Sequence, residues 1–387
     1  MAINRSAPVL QRPVSFGKPP PLGIQRPRSI SQKRDSSVGL KPVWDSPCTT
    51  WSIKPEDLES LPEDFPLERT HRFIRDADAK EVAERISKAL KAHSIEAEYN
   101  TNPPKVKCKT KDFVSFRIRL YSGDDSGSPV VVEVQRRCGP ASCFMQACRA
   151  VLNAAEGKME KPAARSLPPF MSNPIGQMKC LQDVKIVSED EEDTSATALA
   201  DSVAMIRHEK RDTNVLGLEN LNSLTDPMKT KPSMALKVAK TVVLGLENSD
   251  VREDLVAMIE RDVFSTHDDL ALSKHADFLR QVSLTIFANC LSLCAKDGCL
   301  AAESHQVWFN ENLLPCLVDE LKRASSDACC ATQAAVCVNS FASASSSARD
   351  FLIDQGVCEA LRKANEFGVE CNQLLQEETQ RCLDLFA

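Results

Sequence analysis

Basic residues recur at every second position in two stretches of the chain, 105–109 and 117–119, and together they could bind an anion. Side chains two residues apart in a β-strand lie on the same face of its sheet. The spacing therefore predicts one shared face for six cations: Lys105, Lys107, Lys109, Arg117, Arg119 and Arg137. Glu96, Glu98 and Glu133 have the spacing to lie there too. The pattern indicates an anion-binding surface or, alternatively, a solvated face on which opposite charges pair across strands.

No arrangement typical of a catalytic site accompanies these cations. The six histidines have no recurring spacing to acidic residues, and Cys329-Cys330 is typical of two thiols at the edge of a core rather than of a nucleophile. Cys290, Cys294 and Cys299 are the best candidates for a zinc site, but they lack the CxxC spacing and a nearby histidine. We therefore predict no enzyme activity, no cofactor and no metal site.

The composition favours a reducing compartment. Most of the 16 cysteines fall on apolar helical faces, where a free thiol packs as a small hydrophobic residue. A chain of 387 residues can bury a core without disulfides. The net charge of −6 includes a basic stretch, residues 1–48, with eight Lys or Arg and two Asp. No apolar run reaches the ~18 residues of a transmembrane helix, so we expect a cytoplasmic protein without one.

A compact α+β module is predicted over residues 71–156. Asp78 and Glu81 have the capping-box spacing of a helix over 78–92. The segment 130–154 then predicts a buried strand, a tight turn and a final helix. Three further strands are predicted before it, at 95–99, 105–109 and 113–121, and 72–74 is a candidate for a short edge strand. The predicted order is helix, four antiparallel strands, helix. We expect an antiparallel sheet with both helices on one face and the cations on the other.

This order of elements resembles the kinase-associated C-terminal domain of the microtubule-affinity-regulating and Par-1 kinases. The resemblance rests on Arg72-Phe73, on the helix after it, and on VVEVQRRCGPASCFMQACRAV. It implies a module that binds acidic phospholipids through basic surface residues. The family's arginine near the first strand corresponds to Arg72, and its basic residue before the last helix corresponds to Arg136 or Arg137. The chain lacks the Gly-rich loop, catalytic lysine, HRD and DFG of a kinase domain, so inhibition of a kinase in cis is not expected.

The shared face and the resemblance together give a predicted lipid-binding set. Its members are Arg72, Lys105, Lys107, Lys109, Arg117, Arg119, Arg136 and Arg137.

Two segments are predicted to lack regular structure. Residues 1–66 hold 11 of the 22 prolines and indicate a disordered basic arm. Residues 157–194 combine four prolines with the run SEDEED and indicate an acidic flexible linker. Three serines have the sequence context of kinase sites. Ser29 and Ser31 each follow an arginine by three positions, and Ser188 precedes the acidic run.

Residues 195–387 are predicted to be helical throughout, with single helices over 305–323 and 347–365 among them. Within this region the stretch 312–361 resembles an armadillo repeat, because a Leu-rich helix precedes an Ala-rich helix ending in Asn and then a short helix before Gly. In armadillo proteins that Asn lines a concave groove and hydrogen-bonds the backbone of an extended peptide. By this correspondence the predicted protein-binding residues are Asn222, Asn289 and Asn339.

The asparagines have a second interpretation, in which each ties neighbouring helices together. The tryptophan that armadillo grooves carry four residues earlier is replaced here by Leu218, Thr285 and Ala335. The helices would then stack without forming a peptide site.

These expectations describe a non-enzymatic adaptor. Its α+β module would bind an acidic membrane surface and its armadillo-like array would hold a protein partner, which places it in the cytoplasm and peripherally at the plasma membrane. The alternative is a regulatory subunit that scaffolds or inhibits a protein kinase in trans. Nucleic acid is a weaker candidate, because Phe113 and Tyr121, at the ends of one strand, are the only aromatic residues expected near the basic face.

Overall fold

The fold is taken from a computed structural model that describes most of the chain after residue 50. The described ranges are 51–61, 66–123, 130–158, 189–245, 251–260, 270–301 and 303–387. They belong to one compact unit, Ser46–Ala387. The predicted arm up to residue 50 and the predicted linker over 159–188 lie outside these ranges.

An antiparallel sheet of five strands opens the described fold. Its strands are β1 (His71–Ile74), β2 (Glu96–Asn100), β3 (Lys105–Lys109), β4 (Ser115–Ser122) and β5 (Val130–Cys138). They lie in the order β1-β5-β4-β3-β2, and each neighbouring pair is antiparallel. Two helices belong to this α+β unit, α1 (Ala79–Ala92) and α2 (Ala141–Ala155). The predicted order of elements is therefore confirmed over this region.

Both helices pack on one face of the sheet. From α1, Val82 and Ile86 are buried in the same cluster as Val151 from α2. The sheet contributes alternate residues to this cluster, among them Val106, Phe116, Ile118, Val132 and Val134. The intervening residues face the other way, as the period of two requires. We call that second side, which carries Lys105, Lys107, Arg117, Arg119 and Arg137, the open face.

Helix α1 begins where the capping-box spacing of Asp78 and Glu81 predicted it. The side chain of Asp78 accepts a hydrogen bond from the backbone N–H of Glu81 (2.8 Å). This bond satisfies one of the N–H groups that have no partner at a helix start.

Gly139 makes the short turn from β5 into α2 possible. Its φ of +96° is rarely adopted by other residues, and an added Cβ would lie 2.5 Å from the carbonyl oxygen of Phe113. The turn therefore needs glycine for two independent reasons.

The ordered fold begins earlier than the sequence indicated. The predicted disordered arm extended to residue 66, but Trp51 and Ile53 are buried in the core of the α+β unit. The indole N–H of Trp51 donates to the carbonyl oxygen of Asn100 (3.1 Å), and its backbone N–H donates to Ser87 Oγ (3.1 Å). Two large apolar side chains outweigh the local proline content because burying each is worth roughly 1.5–3 kcal/mol.

The remainder of the described chain is helical. Its helices are α3 (Glu189–Ile206), α4 (Arg211–Thr225), α5 (Pro232–Leu244), α6 (Val251–Ile259), α7 (Leu270–Asp297), α8 (Glu303–Trp308), α9 (Leu314–Lys322), α10 (Ala328–Ala342), α11 (Ser346–Asp354), α12 (Val357–Cys371) and α13 (Gln373–Phe386). The first of them begins inside the segment predicted as a linker to residue 194. The prediction of an all-helical second region is confirmed.

Four of these helices pack in series. Helix α4 contacts α7, α7 contacts α10, and α10 contacts α13. Helix α9 contacts α12 in a second row beside the first. The two rows share one apolar core with large fully buried side chains such as Phe287, Phe309 and Phe341. These contacts alone do not establish an armadillo solenoid, which stays a prediction.

Two helices predicted as continuous are interrupted. The predicted helix 305–323 contains a π-helical turn at Phe309–Leu313, and Pro315 follows in the first turn of α9. Proline has no N–H and its ring displaces the carbonyl of the fourth residue before it, which favours a wider turn at this place. The predicted helix 347–365 is divided by Gly356, whose φ is +72°.

Within the described ranges one segment, Ser273–Asp297 in α7, is long and apolar enough by length and composition to span a membrane, although the sequence was expected to contain no such run. Its most apolar 18-residue window has a mean hydropathy of 1.4, and 67% of that window is buried inside the fold. Cys290 and Cys294 on this segment are fully buried in the helical core. A core helix of this kind meets the same criteria, so the segment is weak evidence for a membrane span.

Candidate anion-binding face

The open face brings like charges together at the centre of the sheet. In the register of β3 and β4, Lys105 lies directly opposite Arg119, and Lys107 lies directly opposite Arg117. Neighbouring strands are about 4.8 Å apart, and residues two apart along a strand are about 6.7 Å apart. We call these four residues the cation rectangle. Directly opposed like charges destabilise a sheet, so the rectangle is not explained by the stability of the strands.

A bulge adds Arg137 to this group. The register between β4 and β5 shifts between Ser115 and Phe116, so that Phe116 pairs with Arg136 and Ser115 pairs with Cys138. Arg137 is the extra residue. A bulge redirects side chains and increases the local twist of the strand, and the charge of Arg137 acts on both Lys105 and Arg117.

The cations of the open face raise the energy of one another's charged forms. Partial burial lowers the pKa of Lys105, and the charges of Arg117, Arg119, Lys107 and Arg137 lower it further. The pKa of Arg117 is lowered in the same way, by partial burial and then by Arg137 and Arg119. A bound anion would reverse this effect, because an opposite charge favours the ionised form of each cation.

The acidic residues of the open face neutralise only part of its charge. Glu98 forms an ion pair with Lys107 at the edge of the sheet (2.8 Å). Glu133 lies opposite Arg119 and is fully buried, where its carboxylate accepts hydrogen bonds from the backbone N–H of Glu68 (2.9 Å) and from Gln135 Nε2 (2.9 Å). Cross-strand pairing, the alternative reading of the sequence pattern, therefore accounts for part of the face.

Four cations of the open face make no ion pair with any residue in the described ranges. These are Lys105, Arg117, Arg119 and Arg137. Arg119 donates a hydrogen bond to the neutral Tyr121 Oη (3.2 Å). The centre of the face thus carries excess positive charge.

The other three predicted lipid-binding residues either face the helical side of the sheet or are engaged by the helical region. Arg72 faces the helical side of the sheet and forms an ion pair with Glu156 after the end of α2 (3.1 Å). Arg136 also lies on that side and donates to the carbonyl oxygen of Gly139 (2.9 Å). Lys109 lies 3.8 Å from a carboxylate oxygen of Asp327 in the helical region. The structure therefore brings together five of the eight predicted residues and separates these three from them.

An exposed aromatic side chain lies on the same side of the sheet. Phe73 in β1 pairs in register with Val131, which in turn pairs with Tyr121. Val131 and Tyr121 are buried, whereas Phe73 is 52% exposed. Counting strands and residues from the register places it roughly 12 Å from Arg119. Sequence reasoning assigned Phe73 to an edge strand but not to this face, because the face depends on which strand pairs with β1.

Phe113, the other aromatic residue considered for this face, packs elsewhere. Its ring lies 4.8 Å from that of Phe278 in α7. No continuous stacking platform for nucleic acid bases is present on the described part of the open face.

The sheet meets the helical region through a cluster of charged residues that the sequence did not reveal. The carboxylate of Glu96 accepts a hydrogen bond from the backbone N–H of Cys329, at the start of α10. Asp327 caps the same helix by accepting from the N–H of Cys330 (2.9 Å), and its other oxygen accepts from Arg280 Nη2 (2.8 Å). Negative groups at a helix N-terminus are favourable, so Glu96 helps to join the two regions. We call this cluster of charged residues, together with Lys109, the joint.

Burial and neighbouring charges shift the pKa values of Lys109 and Glu96 in the joint. Burial alone would lower the pKa of Lys109, but the carboxylates of Asp327 and Glu96 raise it. The pKa of Glu96 is raised, first by burial and then by the charge of Asp327. Lys109 is consequently held as a cation inside the joint and is not available to an external anion.

Two of the three predicted protein-binding asparagines contact each other. Asn289 Nδ2 in α7 donates to Asn222 Oδ1 in α4 (3.2 Å). The same pattern continues between α7 and α10, where the hydroxyls of Ser292 and Ser340 are 3.0 Å apart. These polar pairs support the second interpretation, in which the residues tie neighbouring helices together.

Asn339 differs from the other two. It lies on α10, next to Ser340, and its side chain is half-buried. Its amide makes no hydrogen bond to any residue in the described ranges. At the positions where armadillo grooves carry tryptophan, Leu218 and Ala335 are fully buried. The amide of Asn339 thus lacks a hydrogen bond within the described ranges, and Leu218 and Ala335 do not supply the aromatic walls of an armadillo groove.

The predicted phosphorylation sites Ser29, Ser31 and Ser188 lie outside the described residues. Within the described ranges, 14 cysteines are free thiols and no group of three or more His, Cys, Asp or Glu is arranged to hold a metal ion. Burial raises the pKa of Cys148 to about 11 and that of Cys382 to about 12. Both thiols remain protonated at neutral pH.

Comparison with known proteins assigns no family. No protein-family model matches the chain, and no curated protein matches it. Among solved structures, the crystal structure of an engineered protein is 17% identical and covers 49% of this chain and 98% of its own, with a TM-score of 0.24. A TM-score that low carries no conclusion about fold, so the function has to be inferred from the open face itself.

Proposed function

We propose that this protein is a non-enzymatic adaptor whose α+β unit binds an acidic phospholipid surface through the open face. The observation that carries the proposal is the cation rectangle, in which Lys105 opposes Arg119 and Lys107 opposes Arg117. A sequence that breaks a local rule of stability without an evident structural gain does so most often at a functional site. An anionic surface supplies the missing counter-charges.

A membrane fits the open face better than nucleic acid does. Basic residues near an acidic bilayer each contribute about 1 kcal/mol to binding, and no base-reading geometry is required. The exposed ring of Phe73 adds an apolar group on the same side of the sheet, and aromatic side chains are favourable at the membrane interface. Single-stranded nucleic acid would instead require several aromatic rings at successive positions.

The helical region supplies the protein-binding part of the adaptor. We propose that it is an armadillo-like array and that Asn339 takes part in holding the partner, because the amide of this half-buried residue has no hydrogen bond within the described ranges. Asn222 and Asn289 hold α4 and α7 together beside it. In this proposal the protein partner binds a surface of the stacked helices and not a tryptophan-lined peptide groove.

Vesicle co-sedimentation of the full chain tests the membrane proposal. The chain should pellet with phosphatidylserine-containing vesicles at ~0.1 M salt and should not pellet with pure phosphatidylcholine vesicles. Raising the salt to ~1 M should release it, because the screening length falls from about 10 Å to about 3 Å. The chain has a net charge of −6, so general attraction to an acidic vesicle is not expected. Absence of pelleting, or pelleting that resists salt, would contradict the proposal.

A further inference from the structure

The spacing of the cations on the open face distinguishes one kind of acidic lipid from another. Lys105 and Lys107 stand two residues apart on β3, and Arg119 and Arg117 oppose them on β4. The backbone positions of the four therefore form a rectangle of about 5 Å by about 7 Å. Four positive charges are anchored within the width of one lipid headgroup.

We infer that the cation rectangle binds a single headgroup carrying several phosphates, as in a polyphosphoinositide. This inference rests on the proposed function and names the lipid class. A headgroup with one net negative charge can neutralise one cation, and several such lipids would have to crowd together to cover the rectangle. One inositol ring with two or three phosphates brings its charges within reach of all of these side chains at once.

The geometry of the side chains suits this ligand. Guanidinium groups bind phosphate oxygens in a bidentate fashion, and a lysine ammonium binds them as a compact point charge. The rectangle contains two of each type, with the lysines on β3 and the arginines on β4. Arg137, placed by the bulge beside Arg117, extends the positive surface toward the start of α2.

The neighbouring groups limit where the headgroup can sit. Lys107 is paired with Glu98 at the edge formed by β2, and Lys109 is engaged by Asp327 in the joint to the helices. The positive charge without an ion pair in the described ranges is thus concentrated on Lys105, Arg117 and Arg119, with Arg137 beside them. The headgroup would lie over these residues.

A membrane-embedded headgroup is favoured over a soluble inositol phosphate by Phe73. This ring is 52% exposed on the same side of the sheet and would gain contact only if a bilayer lay against the face. The open face therefore presents a phosphate site together with an apolar contact, as expected for a lipid in its membrane.

Binding of the full chain to two vesicle preparations of equal surface charge tests the inference. One contains phosphatidylserine and the other contains phosphatidylinositol 4,5-bisphosphate, each in phosphatidylcholine. We expect about tenfold tighter binding to the second, the equivalent of one or two additional basic residues in contact. Equal affinity for the two would overturn the inference and leave the proposed membrane function intact, whereas binding to neither would remove both.

Two further measurements identify the binding site and show whether the ligand is a membrane lipid or a soluble inositol phosphate. The double variant Lys105→Gln/Arg119→Gln should bind both vesicles with similar affinity, while the matched control Lys80→Gln/Lys88→Gln, on the exposed side of α1, should keep the preference. A preference retained by the first variant would place the site elsewhere and overturn the inference. Soluble inositol 1,4,5-trisphosphate should compete only weakly, and binding as tight as that of the vesicles would show that the ligand is a soluble one.

Discussion

At the scale of single residues, the three asparagines of the helical region have different surroundings. Asn289 donates to Asn222 across the contact of α4 and α7. Asn339 occupies the corresponding place on α10 and makes no such bond within the described ranges. A hydrogen bond between side chains contributes about 1 kcal/mol to stability, whereas a solvated amide contributes little. The same residue type therefore ties two helices together at one position and has an amide without a hydrogen bond in the described ranges at another.

Replacing these asparagines should separate the two roles. Asn289→Ala should lower the free energy of unfolding by about 1 kcal/mol, which corresponds to a melting temperature lower by roughly 2–4 °C in a domain of this size. Asn339→Ala should change it by less than about 0.5 kcal/mol. Thermal melts followed by circular dichroism measure both. Equal destabilisation by the two substitutions would show that Asn339 is also part of the helix packing.

The spacing of residues along the sequence predicted the face of the sheet on which a side chain lies, but not the residues that it contacts. The period of two correctly assigned Lys105, Arg117 and Arg119 to one face of the sheet. It could not show that Lys109, on the same face, is engaged by Asp327, because that contact joins residues more than 200 positions apart. The position of Phe73 beside the basic face likewise depends on the pairing of β1 with β5, which local spacing does not determine.

At the scale of elements, the joint between the sheet and the helices is built from charged groups. Arg280 in α7 lies between Asp327, which caps α10, and Glu320 in α9, with the closer contact to Asp327 (2.8 Å against 3.3 Å). Burial, with smaller contributions from Asp327 and Asp319, raises the pKa of Glu320 from its ordinary value of 4.5 to about 7, although the charge of Arg280 opposes this shift. Desolvation therefore outweighs the ion pair, as is common for buried charges.

The stability of the fold should depend on pH through Glu320. Because its pKa is higher in the folded state, the folded state holds the proton more tightly, and the resulting stabilisation is fully present below pH 4.5 and is lost as the pH rises through about 7. The loss amounts to roughly 3 kcal/mol. In Glu320→Gln, denaturant unfolding at pH 5 and at pH 7.5 should show a correspondingly smaller difference than in the unsubstituted chain.

An exposed glutamate in the preceding turn, Glu311, provides the control for this experiment. Glu311→Gln should leave the pH dependence unchanged. If Glu320→Gln retained the full dependence, other carboxylates near Arg280 and Lys109 would have to be its source. These are Glu96 and Asp277, the second of which lies 3.2 Å from Arg280 Nη2 and has a pKa raised by burial.

At the scale of the whole molecule, the sheet and the helices are parts of one compact unit, Ser46–Ala387. The sequence indicated both regions, because a period of two and a period of 3.6 are local signals. It did not indicate their contact, which uses Glu96, Lys109 and Phe113 from the sheet region. The contact covers one end of the open face and leaves the cation rectangle as the surface on which the proposed membrane binding depends.

The most direct test of that central claim is the affinity of charge-reversed full-length chains for phosphatidylserine vesicles at ~0.1 M salt. Arg117→Glu/Arg119→Glu reverses two cations of the open face, and Lys80→Glu/Lys88→Glu makes the same change in net charge on α1. We predict that the first weakens binding by at least about 30-fold, from about 1 kcal/mol for each cation removed, and that the second has a much smaller effect. Equal weakening by the two variants, or unchanged binding of the first, would contradict the assignment of the open face as the membrane-binding surface.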